Sequence, residues 1–237
     1  MNTETRIIDK KTLELTDADF KVPFTRAAGY DISKLLNTSQ YQELSEGFSH
    51  LYPLFEGDKV QPEGGTGSVV HIYLASLIYV THAQLVYEIG MDVGLASLRM
   101  LNALKITEGR LRSFEYDSRK APIADKLKEL FPASFEIVWG DSTKTLPEQT
   151  DQPDIVFVDG CHHYEYVIQD IKNSLNLLKP GGFLVIDDVI GSEVGQAVKD
   201  LISEEQVHWF LNGVGGDRRL GRYSQGHLPG LAVFQKK

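Results

Sequence analysis

Three carboxylates stand directly after two apolar runs in the second half of the chain. Asp159 follows the first run, and the pair Asp187 and Asp188 follows the second. If these runs are neighbouring strands, the carboxylates converge and need a cation, and hard oxygen ligands without sulfur favour Mg²⁺ or Mn²⁺ over zinc. Adjacent strand residues point to opposite faces, so Asp187 and Asp188 both ligate a metal only where the strand has already turned. The alternative is that the pair caps the helix that follows.

Two adjacent histidines lie just beyond Asp159. His162 follows it by three residues, and a tight turn at Gly160 would bring the His162 ring back over the carboxylates. An imidazole with an ordinary pKa near ~6.5 accepts a proton readily at neutral pH. We therefore predict that His162 is the catalytic base and that His163 faces away, toward solvent or the helix beginning at Tyr164. The alternative is that both histidines only cap this helix.

A glycine pair marks the turn after an earlier apolar run, in the segment E-I-G-M-D-V-G. Gly90 and Gly94 are spaced G-x-x-x-G, and glycine lets the backbone approach a ligand closely. The spacing differs from the G-x-G-x-x-G of dinucleotide-binding proteins, which disfavours a nicotinamide-dependent oxidoreductase. A purely structural turn would explain two glycines nearly as well.

Acidic residues decide between these interpretations of the glycine turn. Five of them fall at or just beyond predicted strand ends: Glu88, Asp92, Glu115, Asp141 and Asp159. The glycine turn holds no lysine or arginine, so this edge should repel phosphate and attract a sulfonium that carries an ammonium group. Glu115, at the end of the second strand, is placed to accept hydrogen bonds from ribose hydroxyls. The alternative for Glu115 is a solvated strand-end carboxylate.

The elements that must position these residues alternate along the chain. Apolar runs predict strands at 85–89, 111–116, 135–139, 154–158 and 183–186, and a terminal hairpin at 207–211 and 230–234. Helical patterns cover 69–82, 122–130, 164–178 and 192–204, and a further helix begins near Leu95. This order predicts an α/β fold with a doubly wound, mostly parallel, seven-stranded sheet, which binds ligands at the carboxyl ends of its strands.

Length and composition limit the remaining possibilities. The 237 residues are enough for one domain, at 61–237, preceded by a helical extension or lid at 1–60. A net charge of -9 disfavours a nucleic-acid binder, and no apolar run reaches the ~20 residues that span a bilayer. The first residues do not look like a secretory signal, so we expect a cytoplasmic protein. Composition leaves the choice between monomer and homo-oligomer open.

Taken together, these segments resemble the class I S-adenosylmethionine-dependent methyltransferases. Within that class they are similar to the small metal-assisted O-methyltransferases related to cephalosporin and macrolide-sugar tailoring enzymes. The resemblance runs from about residue 69 to 190. It rests on E-I-G-x-x-x-G at 88–94, the acidic strand end at Glu115, G-D-S at 140–142, V-D-G-C-H-H-Y at 158–164 and K-P-G-G-F-L-V-I-D-D-V at 179–189.

The resemblance implies a Rossmann-like methyltransferase fold and a role for each motif. Gly90 and Gly94 would border the methionine moiety of S-adenosylmethionine, Glu115 would hold its ribose, and Asp141 with Ser142 would contact its adenine. Such enzymes use a divalent ion at the positions of the three aspartates and carry a histidine at the position of His162.

The implied reaction is methyl transfer to a hydroxyl of a small molecule such as a sugar, a diol or a catechol-like secondary metabolite. The alternative is a protein of the same fold that binds the cofactor without methylating, as a scaffold or in another reaction.

Overall fold

The computed structural model describes residues 67–189, 192–202, 207–211 and 230–237. The strands are β1 (Leu85–Ile89), β2 (Arg110–Glu115), β3 (Phe135–Trp139), β4 (Ile155–Val158), β5 (Phe183–Ile186), β6 (Val207–Leu211) and β7 (Gly230–Gln235). The helices are α1 (Gly67–Thr81), α2 (Leu95–Thr107), α3 (Ala121–Leu130), α4 (Ser142–Thr145), α5 (Tyr164–Leu177) and α6 (Glu193–Leu201). Short 3₁₀ turns, Ser118–Lys120 and Leu146–Glu148, precede α3 and follow α4.

The seven strands form one sheet in the order β3-β2-β1-β4-β5-β7-β6. The first five run parallel, and β7 lies antiparallel between β5 and β6. From β1 the chain first adds β2 and β3 toward one edge of the sheet and then adds β4 and β5 toward the other edge. The strand order therefore reverses between β1 and β4. In open parallel sheets this reversal opens a crevice at the carboxyl ends of the strands.

The register places three strand ends side by side. Ile89 of β1 pairs with Val158 of β4, and Val158 pairs with Ile186 of β5. The backbone ladder continues past these ends, because the Asp159 amide donates to the Ile89 carbonyl at 2.9 Å and the Asp187 amide donates to the Val158 carbonyl at 3.0 Å. The residues that follow β1, β4 and β5 therefore meet at one edge.

Helices cover both faces of the sheet, which gives two apolar cores. Side chains of one face alternate with those of the other along each strand: in β1, Val86 joins the core beneath α1, α2 and α3, whereas Tyr87 and Ile89 join the core beneath α5 and α6. Fully buried leucines such as Leu74 and Leu98 fill the first core. This two-sided burial is what a doubly wound sheet requires.

The fold predicted from the sequence is confirmed, including the terminal hairpin and the adjacency of the fourth and fifth strands. The predicted boundaries lie within a few residues of the observed ones. The largest difference is at α6, which was predicted at 192–204 and spans Glu193–Leu201. The predicted extension at 1–60 lies outside the described residues. Among the described helices, none is both long enough and apolar enough to cross a membrane.

Candidate active site

A cleft of about 620 Å³ opens at the carboxyl ends of β1 to β4. Its volume is within the range of small-molecule sites. Predicted site residues from four separate loops meet there, because the parallel strands end at the same edge. The lining consists of Ile89, Gly90, Asp92, Phe114, Glu115, Tyr116, Lys120, Gly140, Asp141, Ser142, Lys144, Asp159, Gly160, Cys161, His163 and Tyr166.

Gly90 lies at the reversal point, where β1 and β4 separate. Its φ of +89° is in the region that L side chains rarely adopt. A Cβ at this position would lie 2.8 Å from the carbonyl carbon of Asp159 and 2.9 Å from the Cα of Gly160. The glycine therefore allows two loop backbones to touch at the base of the cleft.

Glu115 is held rigidly at the end of β2. One carboxylate oxygen accepts from the amides of Met91 and Asp92 at 3.1 Å each, and the other accepts from the Asp117 amide at 2.8 Å. The ammonium of Lys120 lies 3.6 Å from Glu115 and 2.8 Å from Asp92. Glu115 thus links the glycine turn to β2 while its carboxylate lines the cleft.

Asp141 and Ser142 begin the short helix α4 on the opposite side of the cleft. Asp141 is the N-cap: one carboxylate oxygen accepts from the amide and hydroxyl of Thr143. The other lies 2.9 Å from the ammonium of Lys144. These contacts with Thr143 and Lys144 lower the pKa of Asp141. Asp141 is therefore an ionised carboxylate fixed within its own turn.

A second group of side chains forms beside the cleft, where β4 and β5 end. Oxygen and nitrogen atoms of Asp159, His162 and Asp188 all lie within 4.8 Å of one another. The Nε2 atom of His162 is 3.8 Å from Asp159 Oδ1 and 3.6 Å from Asp188 Oδ2. Two carboxylates and one imidazole at this spacing form a donor set that a divalent cation could occupy. We call these three residues the carboxylate–histidine cluster.

Asp187 lies next to this cluster but is not brought into it. Its Oδ1 accepts from the Asp188 amide at 2.8 Å, which turns the carboxylate back toward its own backbone. The chain does turn after β5, since Asp188 has a φ of +55°, but the turn presents only Asp188 to Asp159. Of the three aspartates predicted as metal ligands, the structure therefore groups Asp159 and Asp188 with His162.

Among the described residues of this region, acidic groups outnumber the one imidazole that faces them. Burial raises the pKa of Asp187 well above its ordinary value, and the negative charges of Asp159 and Asp188 add to the effect. Burial also raises the pKa of Asp159. The hydrogen bond with Asp159 raises the pKa of His162. A bound cation would relieve the crowding of negative charge that these shifts express.

Two residues predicted to bind the cofactor lie outside the cleft lining. Glu88 is fully buried, and one of its carboxylate oxygens accepts from the hydroxyls of Ser97 and Ser113. Burial raises the pKa of Glu88 to about 7. Gly94, with a φ of +76°, faces Ile123 of α3 and precedes the first residue of α2. The structure therefore places Glu88 in the core and Gly94 at the end of the glycine turn, against α3.

Sequence reasoning missed several residues that line the cleft. Lys120, from the 3₁₀ turn before α3, and Lys144, from α4, bring positive charge to an edge predicted to be negative. Tyr116, 80% exposed, directly follows Glu115. The position of Tyr116 after the acidic strand end was the one available indication. His163 is solvent-exposed beside α5, as predicted, but it also lines the cleft and so does not face away from it.

A second cleft of about 710 Å³ lies at the other end of the strands. Ion pairs lie around this second cleft, including Arg110 with Asp151 and Lys179 with Asp154. It holds none of the clustered residues described above. Since open parallel sheets bind ligands at the carboxyl ends of their strands, the first cleft is the candidate active site.

The comparisons with known proteins cover the strands whose carboxyl ends form this edge. Residues 87–189, which span β1 to the end of β5, match the family described as a methyltransferase domain. This stretch is therefore similar to a methyltransferase domain, and it contains the motifs named above. The family resemblance drawn from the motifs is thereby confirmed. A search of curated protein sequences finds no match.

Solved structures share the fold of this chain. Cofactor-bound Rv0187 from MTB is 16% identical, with 87% of this chain and 97% of that chain covered and a TM-score of 0.61. An O-methyltransferase from Bacillus cereus in complex with SAH is 18% identical, with 86% and 95% covered and a TM-score of 0.58. The O-methyltransferase TomG from Streptomyces achromogenes, in complex with SAM, is 21% identical, with 94% and 100% covered and a TM-score of 0.52. At these identities the likeness establishes the fold.

Proposed function

We propose that this protein is a divalent-metal-assisted O-methyltransferase that transfers a methyl group from S-adenosylmethionine to a hydroxyl of a small molecule. The observation that carries the proposal is the position of Asp159. Its backbone forms the base of the cleft against Gly90, and its carboxylate belongs to the carboxylate–histidine cluster. A methyl donor in the cleft and an acceptor at the cluster would therefore be adjacent, as transfer between them requires.

The cofactor side of the proposal rests on the cleft lining. Gly90 leaves room for the methionine moiety, and Glu115 offers carboxylate lone pairs to ribose hydroxyls while its other lone pairs hold the glycine turn. Asp141 and Ser142 border the position of the adenine. When bound, S-adenosylmethionine supplies an electrophilic methyl group and is left as S-adenosylhomocysteine. O-methyltransferases of similar fold contain SAH or SAM.

The metal side of the proposal rests on the donor set. Asp159 and Asp188 offer hard oxygen ligands, and the carboxyl group of Asp187 lies close enough to interact electrostatically with both. These residues suit Mg²⁺ or Mn²⁺. When bound, such an ion supplies Lewis acidity toward a hydroxyl oxygen. This requirement favours an acceptor with two neighbouring oxygens, such as a sugar, another diol or a catechol-like secondary metabolite.

We propose that His162 is the base that accepts the proton lost by the acceptor hydroxyl. Its Nε2 faces both carboxylates of the cluster, which raise the pKa of the ring and favour its charged form. Neutralising those carboxylates with a cation would return the ring to the neutral form, which can accept a proton. The same atom could instead ligate the ion, and the two roles are separable by experiment.

Two measurements test the proposal without knowledge of the natural acceptor. Calorimetry should detect S-adenosylhomocysteine binding and no comparable binding of NAD. Incubation of the protein with S-adenosylmethionine, Mg²⁺ and a panel of sugars, diols and catechols should release S-adenosylhomocysteine with at least one acceptor and not with matched mono-ols.

The results also separate the proposal from its alternative. Binding of S-adenosylhomocysteine without turnover on any acceptor would favour a protein that uses the fold as a scaffold or for another reaction. Equal turnover on diols and mono-ols would contradict the two-oxygen acceptor. Preferred binding of NAD would overturn the assignment of the cleft.

A further inference from the structure

Glu193 is the first residue of α6 and contacts the end of the loop 159–163, which carries His162. Its Oε2 accepts a hydrogen bond from the Tyr164 amide at 2.7 Å and lies 4.0 Å from Nδ1 of His163. Tyr164 begins α5, and the N-cap of that helix, His163, makes no side-chain capping bond among the described residues. A residue of the following helix therefore satisfies one of the amides that the start of α5 leaves without an intrahelical partner.

Ser192, which precedes Glu193, contacts the loop that carries the other half of the carboxylate–histidine cluster. Its hydroxyl donates to the Asp188 carbonyl at 2.5 Å and, as the N-cap of α6, accepts from the Gly195 amide at 3.2 Å. Gly195 packs so closely that an added Cβ would lie 3.1 Å from the carbonyl carbon of Val189. The backbone that presents Asp188 is thus fixed to the first turn of α6.

These two contacts connect two loops that the sheet alone does not join. Asp188 follows β5 and His162 follows β4, and Nε2 of His162 lies 3.6 Å from Asp188 Oδ2. Ser192 holds the Asp188 carbonyl, and Glu193 holds the amide two residues after His162. Because Ser192 and Glu193 are adjacent in the chain, the start of α6 sets how far apart the two loops lie.

We propose that Glu193 is a positioning residue that holds the loop 159–163 at the distance from Asp188 that a divalent cation at the cluster requires. Glu193 is not itself a member of the cluster, and it acts through the Tyr164 amide. Residues that orient metal ligands in this way change metal affinity or activity by roughly 10–100-fold when they are replaced. The inference rests on the proposed function, which places a cation between Asp159, His162 and Asp188.

The test measures the Mn²⁺ affinity of the cofactor-free protein by electron paramagnetic resonance. Glu193→Ala removes the hydrogen-bond acceptor and should weaken Mn²⁺ binding about tenfold or more. Glu193→Gln keeps an oxygen that can accept from the Tyr164 amide, so its affinity should stay within about threefold of that of the parent. Glu193→Asp keeps the charge but has a shorter reach, so it should lose affinity as Glu193→Ala does. The last two variants separate the position of the acceptor from its charge.

Asp200→Ala is the matched control, because Asp200 also joins α6 to Tyr164. Its Oδ2 accepts from the Tyr164 hydroxyl at 2.7 Å, and this contact involves no residue of the loop 159–163. Asp200→Ala should therefore keep the parental Mn²⁺ affinity. The Glu193 side chain is 60% exposed, so its truncation opens no buried cavity. Glu193→Ala should accordingly unfold at a Tm close to that of Asp200→Ala and bind S-adenosylhomocysteine within about threefold of the parent.

The outcomes distinguish this inference from the proposed function. If Asp188→Asn leaves the Mn²⁺ affinity of the parent unchanged, the cation site of the proposed function is wrong and this inference fails with it. If Asp188→Asn lowers the affinity and Glu193→Ala does not, the inference alone is wrong. Equal losses in Glu193→Ala and Glu193→Gln would make charge the cause, and an equal loss in Asp200→Ala would make it a general loosening of α5 and α6. Either result would overturn the positioning role.

Discussion

Gly90 provides a test of how closely the two loops at the base of the cleft are packed. Its φ of +89° strains any L side chain. A Cβ would also lie 2.8 Å from the Asp159 carbonyl carbon, 2.9 Å from the Gly160 Cα and closer still to the Asp159 carbonyl oxygen. These are backbone atoms of a strand end, so no side-chain rotation relieves the contact.

We expect Gly90→Ala to lower the free energy of unfolding by roughly 2–5 kcal/mol. About 1–2 kcal/mol comes from the left-handed backbone conformation and about 1–3 kcal/mol from displacing the Asp159 backbone. Gly181→Ala is the matched control: its φ is +79°, but nothing lies within 4 Å of the added Cβ. Only the backbone cost applies there. Each 1 kcal/mol lowers Tm by about 2–4 °C in a chain of this size, so thermal unfolding resolves the difference.

Binding of S-adenosylhomocysteine to the same two variants completes the experiment. At a temperature where both are folded, Gly90→Ala should bind at least about tenfold more weakly than the parent, and Gly181→Ala should bind as the parent does. Equal stability and equal affinity in the two variants would refute the close approach of Gly90 to Asp159. The structure therefore predicts that a side chain at Gly90 damages both the fold and cofactor binding.

Three further predictions concern the charged groups. Exhaustive chelation should abolish methyl transfer, and added Mg²⁺ should restore it. Full activity after chelation would contradict the role of the cation. Asp188→Asn should weaken Mn²⁺ binding about tenfold or more. His162→Ala should lower kcat by roughly 10²–10⁴ with cofactor affinity unchanged, and His163→Ala much less; a parallel loss of Mn²⁺ affinity in His162→Ala would make the ring a ligand. Burial raises the pKa of Glu88 from 4.5 to about 7, so the native state holds this proton more tightly and loses stability as pH rises through that window. Thermal unfolding across pH should show a flatter dependence in Glu88→Gln, and an unchanged profile would rule out the shift.

The arrangement of motifs was predictable because a parallel sheet brings all its carboxyl strand ends to one edge. Once 85–89 and 154–158 were recognised as strands, Gly90 and Asp159 had to meet there. The burial of Glu88 was also within reach, because it is the one charged residue in the apolar run of β1. A carboxylate in such a run must lie on a covered face of the sheet.

The details of the cluster depend on backbone geometry that the sequence pattern does not specify. Whether Asp187 or Asp188 faces Asp159 is decided by the positive φ of Asp188 and by the hydrogen bond that Asp187 makes to the next amide. The lysines of the cleft were missed for a different reason. Lys120 comes from a turn beyond β2, so only the three-dimensional path of the chain brings its ammonium to Asp92 and Glu115.

Asp159 makes the cleft and the carboxylate–histidine cluster mechanically dependent on each other. Its amide is hydrogen-bonded to Ile89 at the end of β1, its carbonyl abuts Gly90, and its carboxylate faces His162. A shift of the glycine turn must therefore move a cluster side chain, and a shift in the cluster must reach the base of the cleft. In-line methyl transfer tolerates little misplacement of donor and acceptor, since positioning supplies a large share of the rate. The backbone of Asp159 borders the proposed donor site, and its side chain borders the proposed acceptor site. This one residue therefore fixes the position of the donor relative to the acceptor, over the shortest connection that a chain can provide.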